Sequence, residues 1–305
     1  MGTPEAAVPS LLRLHCDGHD VEAVYTQPDR PSGRGNKIIF SPVKTFALAN
    51  DLPIFQPTKI KTPEALETLR SHGADVAVVV AYGRILPETF LNAFPRGAIN
   101  VHFSLLPRYR GAAPVNWAIV NGETVTGVTT MRMDVGLDTG DILLQSETDI
   151  LATDTAAGLM TKLSAIGADL LSKTLADIDV IDPRPQDHSL ATLAPVMQRQ
   201  DGVIDWKMSA KAIADRVRGF QPFPTAFTYF QQGKLTIWAS SGTPTADFIG
   251  APGEIVVARG DEFLIQCGHG SVLKVVEVQP EGKRRMSARD FVNGFKPPVG
   301  VVLGI

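Results

Sequence analysis

Apolar residues in the first two-thirds of the chain recur with two alternating periods, and the change of period marks out successive elements. Leu11, Leu12 and Leu14, following Thr3-Pro4, predict a helix with Thr3 as N-cap and Pro4 in the first position, closed by Gly18-His19. Val21–Tyr25 reads as a strand, Ser41-Pro42 opens a helix to Ala49, and Pro53–Phe55 is a short strand. Pro63–Ser71 predicts a helix with Ala65, Leu66 and Leu69 on one face, and the almost wholly apolar Asp75–Ala81 a strand covered on both faces. A helix over Pro114–Asn121, a strand over Thr126–Met133 and a long helix through Leu159, Leu163, Ile166 and Leu170 complete this part. The expectation is an α/β domain over 1–183, Rossmann-like and doubly wound around a mainly parallel sheet.

The pattern then changes. Residues 184–200 are polar and proline-containing, as in a linker. Beyond them one helix, Lys211–Gly219, is followed by five short strands: Thr225–Phe230, Leu235–Ala239, Gly253–Ala258, Glu262–Cys267 and Val272–Gln279. Turn residues separate them, which suits a small OB-like barrel over 201–305.

One strand breaks the rule for its class. Ile99, Val101 and Phe103 alternate with Asn100, His102 and Ser104, so one face is apolar and the other carries an amide, an imidazole and a hydroxyl. A central strand of an α/β sheet has no ordinary use for such a row. Pro107, Gly111 and Pro114 then punctuate a loop, as at the carboxyl end of a strand, where α/β sites lie. The loop Tyr82–Pro87 follows the neighbouring strand, so two such loops aim at one crevice. Downstream, the acidic loop 134–141 holds Asp134, Asp138 and Asp141; its spacing is not that of an EF-hand, and one carboxylate is expected to face His102.

Composition narrows the function. The 305 residues include 44% hydrophobic and 20% charged side chains, within the globular range. The net charge of −3 divides unevenly, since residues 201–305 hold 12 Lys+Arg against 10 Asp+Glu, a small local basic excess. Cys16 and Cys267 have neither disulfide-framework nor metal-site spacing, which fits a reduced, cytoplasmic setting and no metal. The longest apolar run, Val76–Tyr82, is too short to span a bilayer, and no secretory segment opens the chain. Gln27–Lys37 is a basic loop with two prolines and two glycines, whose Arg30, Arg34 and Lys37 suit contact with phosphates. No G-x-G-x-x-G or P-loop string occurs, so nucleotide binding of those kinds gains no support.

The string N-V-H-F-S-L-L-P-R-Y-R-G-A-A-P, with G-L-D-T-G-D downstream, resembles the signature of formyltransferases that use 10-formyltetrahydrofolate. The strings M-G-T-P-E, T-Q-P-D-R-P-S-G-R-G, S-P-V-K, V-V-A-Y-G-R-I-L-P, D-G-V-I-D-W, V-R-G-F-Q-P-F-P and Q-P-E-G-K-R-R-M-S-A are similar to those of members that act on initiator methionyl-tRNA. The resemblance implies Asn100, His102 and Asp138 as the catalytic trio. It also implies a folate stretch at Ser104, Leu105, Leu106 and Pro107, extended by Tyr82, Gly83, Ile85 and Leu86. For tRNA it implies contact through the arm around Arg34; Lys207, Arg218, Lys283, Arg284 and Arg285 are further candidate cations, since phosphates need positive surface. No metal, membrane or protein partner is implied. The family pattern has an apolar strand ahead of M-G-T-P, so the sheet is expected to lack its first strand and to expose the edges beside it. Asn36 interrupts a usual lysine pair in the arm. A small amine is the competing acceptor.

Overall fold

The computed structural model describes residues 1–32, 37–243 and 249–304. In chain order the elements are α1 (Val8–Cys16), β1 (Val24–Tyr25), β2 (Arg30–Ser32), β3 (Lys37–Ile39), α2 (Pro42–Ala49), β4 (Ile54–Phe55), α3 (Pro63–Ser71), β5 (Ala77–Val79), α4 (Glu88–Leu91), β6 (Ala98–His102), β7 (Arg110–Gly111) and α5 (Pro114–Val120). There follow β8 (Val125–Arg132), β9 (Ile142–Asp149), α6 (Ala156–Ala176), β10 (Leu193–Ala194), α7 (Ala210–Gly219), β11 (Ala226–Phe230), β12 (Gly233–Thr243), β13 (Ile255–Arg259), β14 (Glu262–Gln266), β15 (Val272–Pro280), β16 (Met286–Ser287) and α8 (Ala288–Phe295). The chain falls into two compact units, Met1–Pro114 with Val125–Asp149 and Met160–Ala194, and Val115–Thr124 with Ile150–Leu159 and Pro195–Ile305.

The first unit is built on parallel and antiparallel strands in about equal measure. β1 pairs with β4 and β5 with β6 in parallel, whereas β8 runs antiparallel to β6 and β9 to β8. The sheet is therefore mixed rather than mainly parallel: the chain comes back antiparallel from β6 to β8 after α5, and the loop 133–141 then turns it straight back as a hairpin into β9. Among the described residues only Met1 and Gly2 lie between β1 and β5: the Gly2 N–H donates to the Tyr25 carbonyl and the Val80 N–H to the Met1 carbonyl, each at 2.9 Å. A Cβ on Gly2 would come within 2.8 Å of the Ala7 Cβ and 2.9 Å of the Val80 oxygen, so glycine is required by space. Beside these two residues is a cavity of about 480 Å³ lined by Leu11, Leu14, Val24, Val76, Val78 and Phe94.

Thr3 does not cap a helix. Its hydroxyl donates to the Tyr82 carbonyl at 3.2 Å and accepts from the Gln27 N–H at 3.3 Å, tying two loops together. A 3-10 turn, Glu5–Ala7, precedes α1, whose own first turn holds Pro9. Ser41 and Thr62 do cap α2 and α3 through their side chains. The basic segment forms a hairpin, with Arg30 opposite Ile39 and Ser32 opposite Lys37. Its base is fixed by Lys44, which bonds Asp29 and donates to the Gln56 side-chain oxygen at 2.8 Å.

The second unit is an antiparallel sheet in the order β11-β12-β15-β14-β13, with β16 on β15. Among the described residues no ladder joins β11 to β13, so the sheet is not a closed barrel. Ala210, Ile213 and Val217 of α7 share an inward face at helical spacing, and with Phe230, Phe263 and Phe291 they form one apolar core. Among the described residues, no helix is long and apolar enough to cross a membrane.

Candidate active site

β6 carries the polar row to the carboxyl end of the sheet. Its register sets Asn100 opposite Met131 and His102 opposite Thr129 of β8, and sets Val79 of β5 beside Asn100. The loops leaving β5 and β6 thus start from the same end, as the sequence predicts. Asn100 is half-buried, and among the described residues its carboxamide has no protein partner. That leaves amide donors open to an incoming oxygen.

His102 is 6% exposed. Its Nε2 lies 2.9 Å from the Tyr109 carbonyl oxygen, which can only accept, so Nε2 carries the proton. Nδ1 is then the nitrogen turned towards Asp138, whose Oδ2 is 3.7 Å away. The gap is too wide for a direct hydrogen bond and close enough for an ion pair once the imidazole is protonated. The same Oδ2 accepts the Gly111 N–H at 2.8 Å, which fixes the carboxylate independently of the histidine.

The acidic loop resolves into separate roles. Asp134 closes it, accepting from the Gly136 N–H at 3.0 Å and the Thr139 hydroxyl at 2.7 Å. The Asp141 carbonyl accepts the Arg132 N–H at 2.9 Å, at the base of the β8–β9 hairpin. Asp138 alone of the three faces His102, from a left-handed backbone at φ 51°. Gly140 cannot be replaced, since a Cβ there would sit 1.8 Å from the Arg132 oxygen.

Ser104 is fully buried and donates to the Arg108 carbonyl at 2.7 Å, closing its loop on itself. Thr129 anchors that loop from below: its hydroxyl donates to the Ser104 carbonyl at 2.7 Å and accepts the Leu106 N–H at 3.1 Å. Gln145 adds a bond from its side-chain nitrogen to the Leu106 carbonyl at 2.9 Å. Leu106 is buried, while Leu105 and Pro107 are half-exposed. In the partner loop Gly83 and Ile85 are exposed, Ile85 to 75%, whereas Tyr82 and Leu86 are core residues. Burial pushes the Tyr82 phenol upward, and its buried hydroxyl has no partner among the described residues.

Of the cations, Arg30 is exposed on the hairpin; Arg34 and Asn36 lie outside the described residues, and Lys37 is described for its backbone only. Lys207, Lys283 and Arg284 are exposed. Arg285 lies over the Trp238 ring at 4.4 Å and pairs with Glu277 at 2.9 Å. Arg218 is spent internally, on Asp215 at 2.9 Å and on the carbonyls of Leu151 and Asp154 at 3.1 and 2.8 Å.

The predicted linker supplies residues that sequence reasoning missed. Thr192 accepts the Tyr109 N–H on its hydroxyl at 2.9 Å, and β10 pairs in parallel with β7. Gln186 is buried against the Asp138 loop. Residues through Ala194 belong to the first unit despite their linker-like composition. Thr129 was legible only as a polar position within a predicted strand, and Gln145 lies in β9, a strand the sequence pattern does not predict.

Residues 1–175 match the family model described as formyl transferase, and residues 196–296 that described as formyl transferase, C-terminal domain. A methionyl-tRNA formyltransferase of Koribacter versatilis is 49% identical over 307 residues, covering 99% of this chain and 97% of that protein. One from Solibacter usitatus is 50% identical over 296 residues, covering 96% and 94%. Among solved structures, an N-formyltransferase of Helicobacter canadensis in complex with folinic acid and dTDP-3-aminofucose aligns with a TM-score of 0.66 at 20% identity, over 92% of this chain and 97% of that one. The methionyl-tRNA formyltransferase from Clostridium thermocellum aligns at 0.52 and 21% identity, over 65% and 86%. At these identities the structures establish the fold alone.

Proposed function

The chain belongs to the formyl transferase family, and from that premise we propose that it moves the formyl group of 10-formyltetrahydrofolate to the α-amine of methionyl-initiator tRNA. The observation that carries the reading is the open Asn100 amide beside a buried His102 that faces Asp138 at 3.7 Å. As the amine adds to the formyl carbon, negative charge gathers on the formyl oxygen. Asn100 donates to that oxygen, and His102 in its protonated form stabilises the same charge. Asp138 faces Nδ1 of the imidazole, orients the ring and stabilises positive charge that develops on it. The amine must lose a proton and the departing folate nitrogen must gain one; Asp138 and His102 are the groups that carry it.

The folate fits the two loops at this end. Exposed Ile85 and half-exposed Leu105 and Pro107 offer apolar surface to a flat ring, and Gly83 allows close approach. We read Tyr82 and Leu86 as the buried supports of that surface. Arg30, Arg34 and Lys37 on the arm, with Lys207, Lys283, Arg284 and Arg285, are read as phosphate contacts. Arg218 is read as a brace. The C-terminal sheet is read as an OB-related surface for the acceptor stem. Cytoplasm is the compartment that fits such an acceptor.

The test is formyl transfer to methionyl-initiator tRNA, with His102→Ala beside the wild type. Turnover should fall by orders of magnitude in the variant with tRNA binding kept. Transfer only to small amines would overturn the acceptor, and wild-type turnover in the variant would remove His102 from the chemistry.

A further inference from the structure

Gln186 lies in a stretch whose composition suggests nothing but a tether, yet it is 6% exposed and uses both ends of its carboxamide. The nitrogen donates to the carbonyls of Asp138 at 2.9 Å and Gly140 at 2.7 Å, gripping the loop at and just beyond the carboxylate-bearing residue. The oxygen accepts twice from Arg110, from Nε at 3.0 Å and from Nη2 at 2.7 Å. Arg110 is itself 6% exposed, and its remaining Nη1 donates to His188 Nδ1 at 3.1 Å. A buried guanidinium whose partners are neutral concentrates its pull on them, and donation into one end of an amide strengthens the donors at the other. Arg110 also precedes Gly111, the residue whose N–H holds the Asp138 carboxylate at 2.8 Å.

We propose that Gln186 is a positioning residue: backed by Arg110, it clamps the carbonyls of Asp138 and Gly140 and so keeps the Asp138 carboxylate on His102. Asp138 needs such a clamp because it sits at φ 51°, a conformation that a non-glycine residue holds only when its surroundings fix it. Without the clamp the loop is still closed by Asp134, but the peptide of Asp138 is free to leave the left-handed region and carry its carboxylate away. The inference rests on the reading of Asp138 as a catalytic group.

Gln186→Glu separates positioning from folding. Its carboxylate still accepts from Arg110, now as a buried ion pair, but it has no N–H for the two carbonyls. The expected result is a kcat lower by ten- to a hundredfold, KM for both substrates within about twofold, and a melting temperature lowered by the two unpaired carbonyls but still well above the assay temperature. In an Asp138→Asn background the same change should add less than about threefold, since a residue acting through Asp138 has nothing left to position. If Gln186→Glu melts early, the double variant Arg110→Met/Gln186→Met removes both polar partners while keeping volume, and the same kcat-only loss is expected. Full additivity with Asp138→Asn, an unchanged kcat in Gln186→Glu, or loss of kcat only through melting at the assay temperature in both variants would overturn the proposal. Wild-type kcat in Asp138→Asn alone would instead overturn the catalytic reading on which it rests.

Discussion

Asn100 and Thr129 sit on adjoining strands and hold opposite kinds of polar group, one open and one fully used. The Asn100 carboxamide has no protein partner among the described residues, so its truncation should leave the fold intact and remove only what it gives the transition state. Asn100→Ala is expected to lower kcat by about 10²–10³, the usual effect of losing one oxyanion donor, with the melting temperature held. A variant with normal kcat would place the developing charge elsewhere. Thr129 is the reverse case, since its hydroxyl serves Ser104, Leu106 and Gln145 at once. Thr129→Val keeps the shape and strands the Ser104 carbonyl and the Leu106 N–H, at a cost of about 1–3 kcal/mol for each left unsatisfied, while Gln145 keeps its bond to the Leu106 carbonyl. Steady-state kinetics should show the KM for the formyl donor rising more than kcat falls; an unmoved KM would detach the 104–107 loop from donor binding. Asn100 and His102 were visible in the sequence because, with Ser104, they interrupt one face of an apolar strand, and Asp138 was one of three carboxylates in a loop, singled out by the family resemblance. Gln186 was not visible, because the same amide in a proline-rich, polar stretch looks solvated, and only the fold reveals the carbonyls it meets.

Elements that bury a regular apolar face were legible. α3 has the predicted bounds, and α7 and β15 lie within a residue of theirs. β9 escaped notice because only its first residues are buried and the rest alternate weakly. The mixed sheet also escaped, since local periodicity does not say whether a strand returns parallel or antiparallel. The slot between β1 and β5 is the element-scale feature with the clearest energetic signature. There the Met1 ammonium donates to the Val78 carbonyl at 2.7 Å, and burial lowers its pKa from 8.0 to about 5. A buried amine favours its neutral form, so between pH 8 and pH 5 the unfolded chain binds the extra proton. Stability therefore falls as pH drops through that window, by up to about 4 kcal/mol at 1.36 kcal/mol per unit. An engineered apolar extension ahead of Met1 turns the titratable amine into a peptide N–H. Thermal melts should show the extended chain gaining most at pH 5–6 and least at pH 9. A gain independent of pH would mean the amine carries no such penalty.

For the whole molecule, a net charge of −3 has to be reconciled with a polyanionic acceptor, and the reconciliation depends on which cations are free. Lys283 and Arg284 are exposed, whereas Arg218 is committed to Asp215, itself only 6% exposed, and to two carbonyls. Free cations that meet phosphates release counterions, so acceptor affinity should fall linearly with salt on logarithmic axes, by roughly 0.9 per contact for duplex. The double variant Lys283→Ala/Arg284→Ala should then weaken tRNA binding, flatten that slope by up to about 2, and leave donor KM and melting temperature unchanged. Arg218→Ala should do the opposite. It leaves a nearly buried carboxylate with Lys211 alone, at 2.7 Å, and frees two carbonyls, which lowers the melting temperature with little change in salt slope. Binding measured from low to moderate salt, beside thermal melts of both variants, tells the two kinds of cation apart. An unchanged slope in the double variant would move the phosphate contacts to the arm and Lys207, and a flattened slope in Arg218→Ala would make that residue a ligand after all.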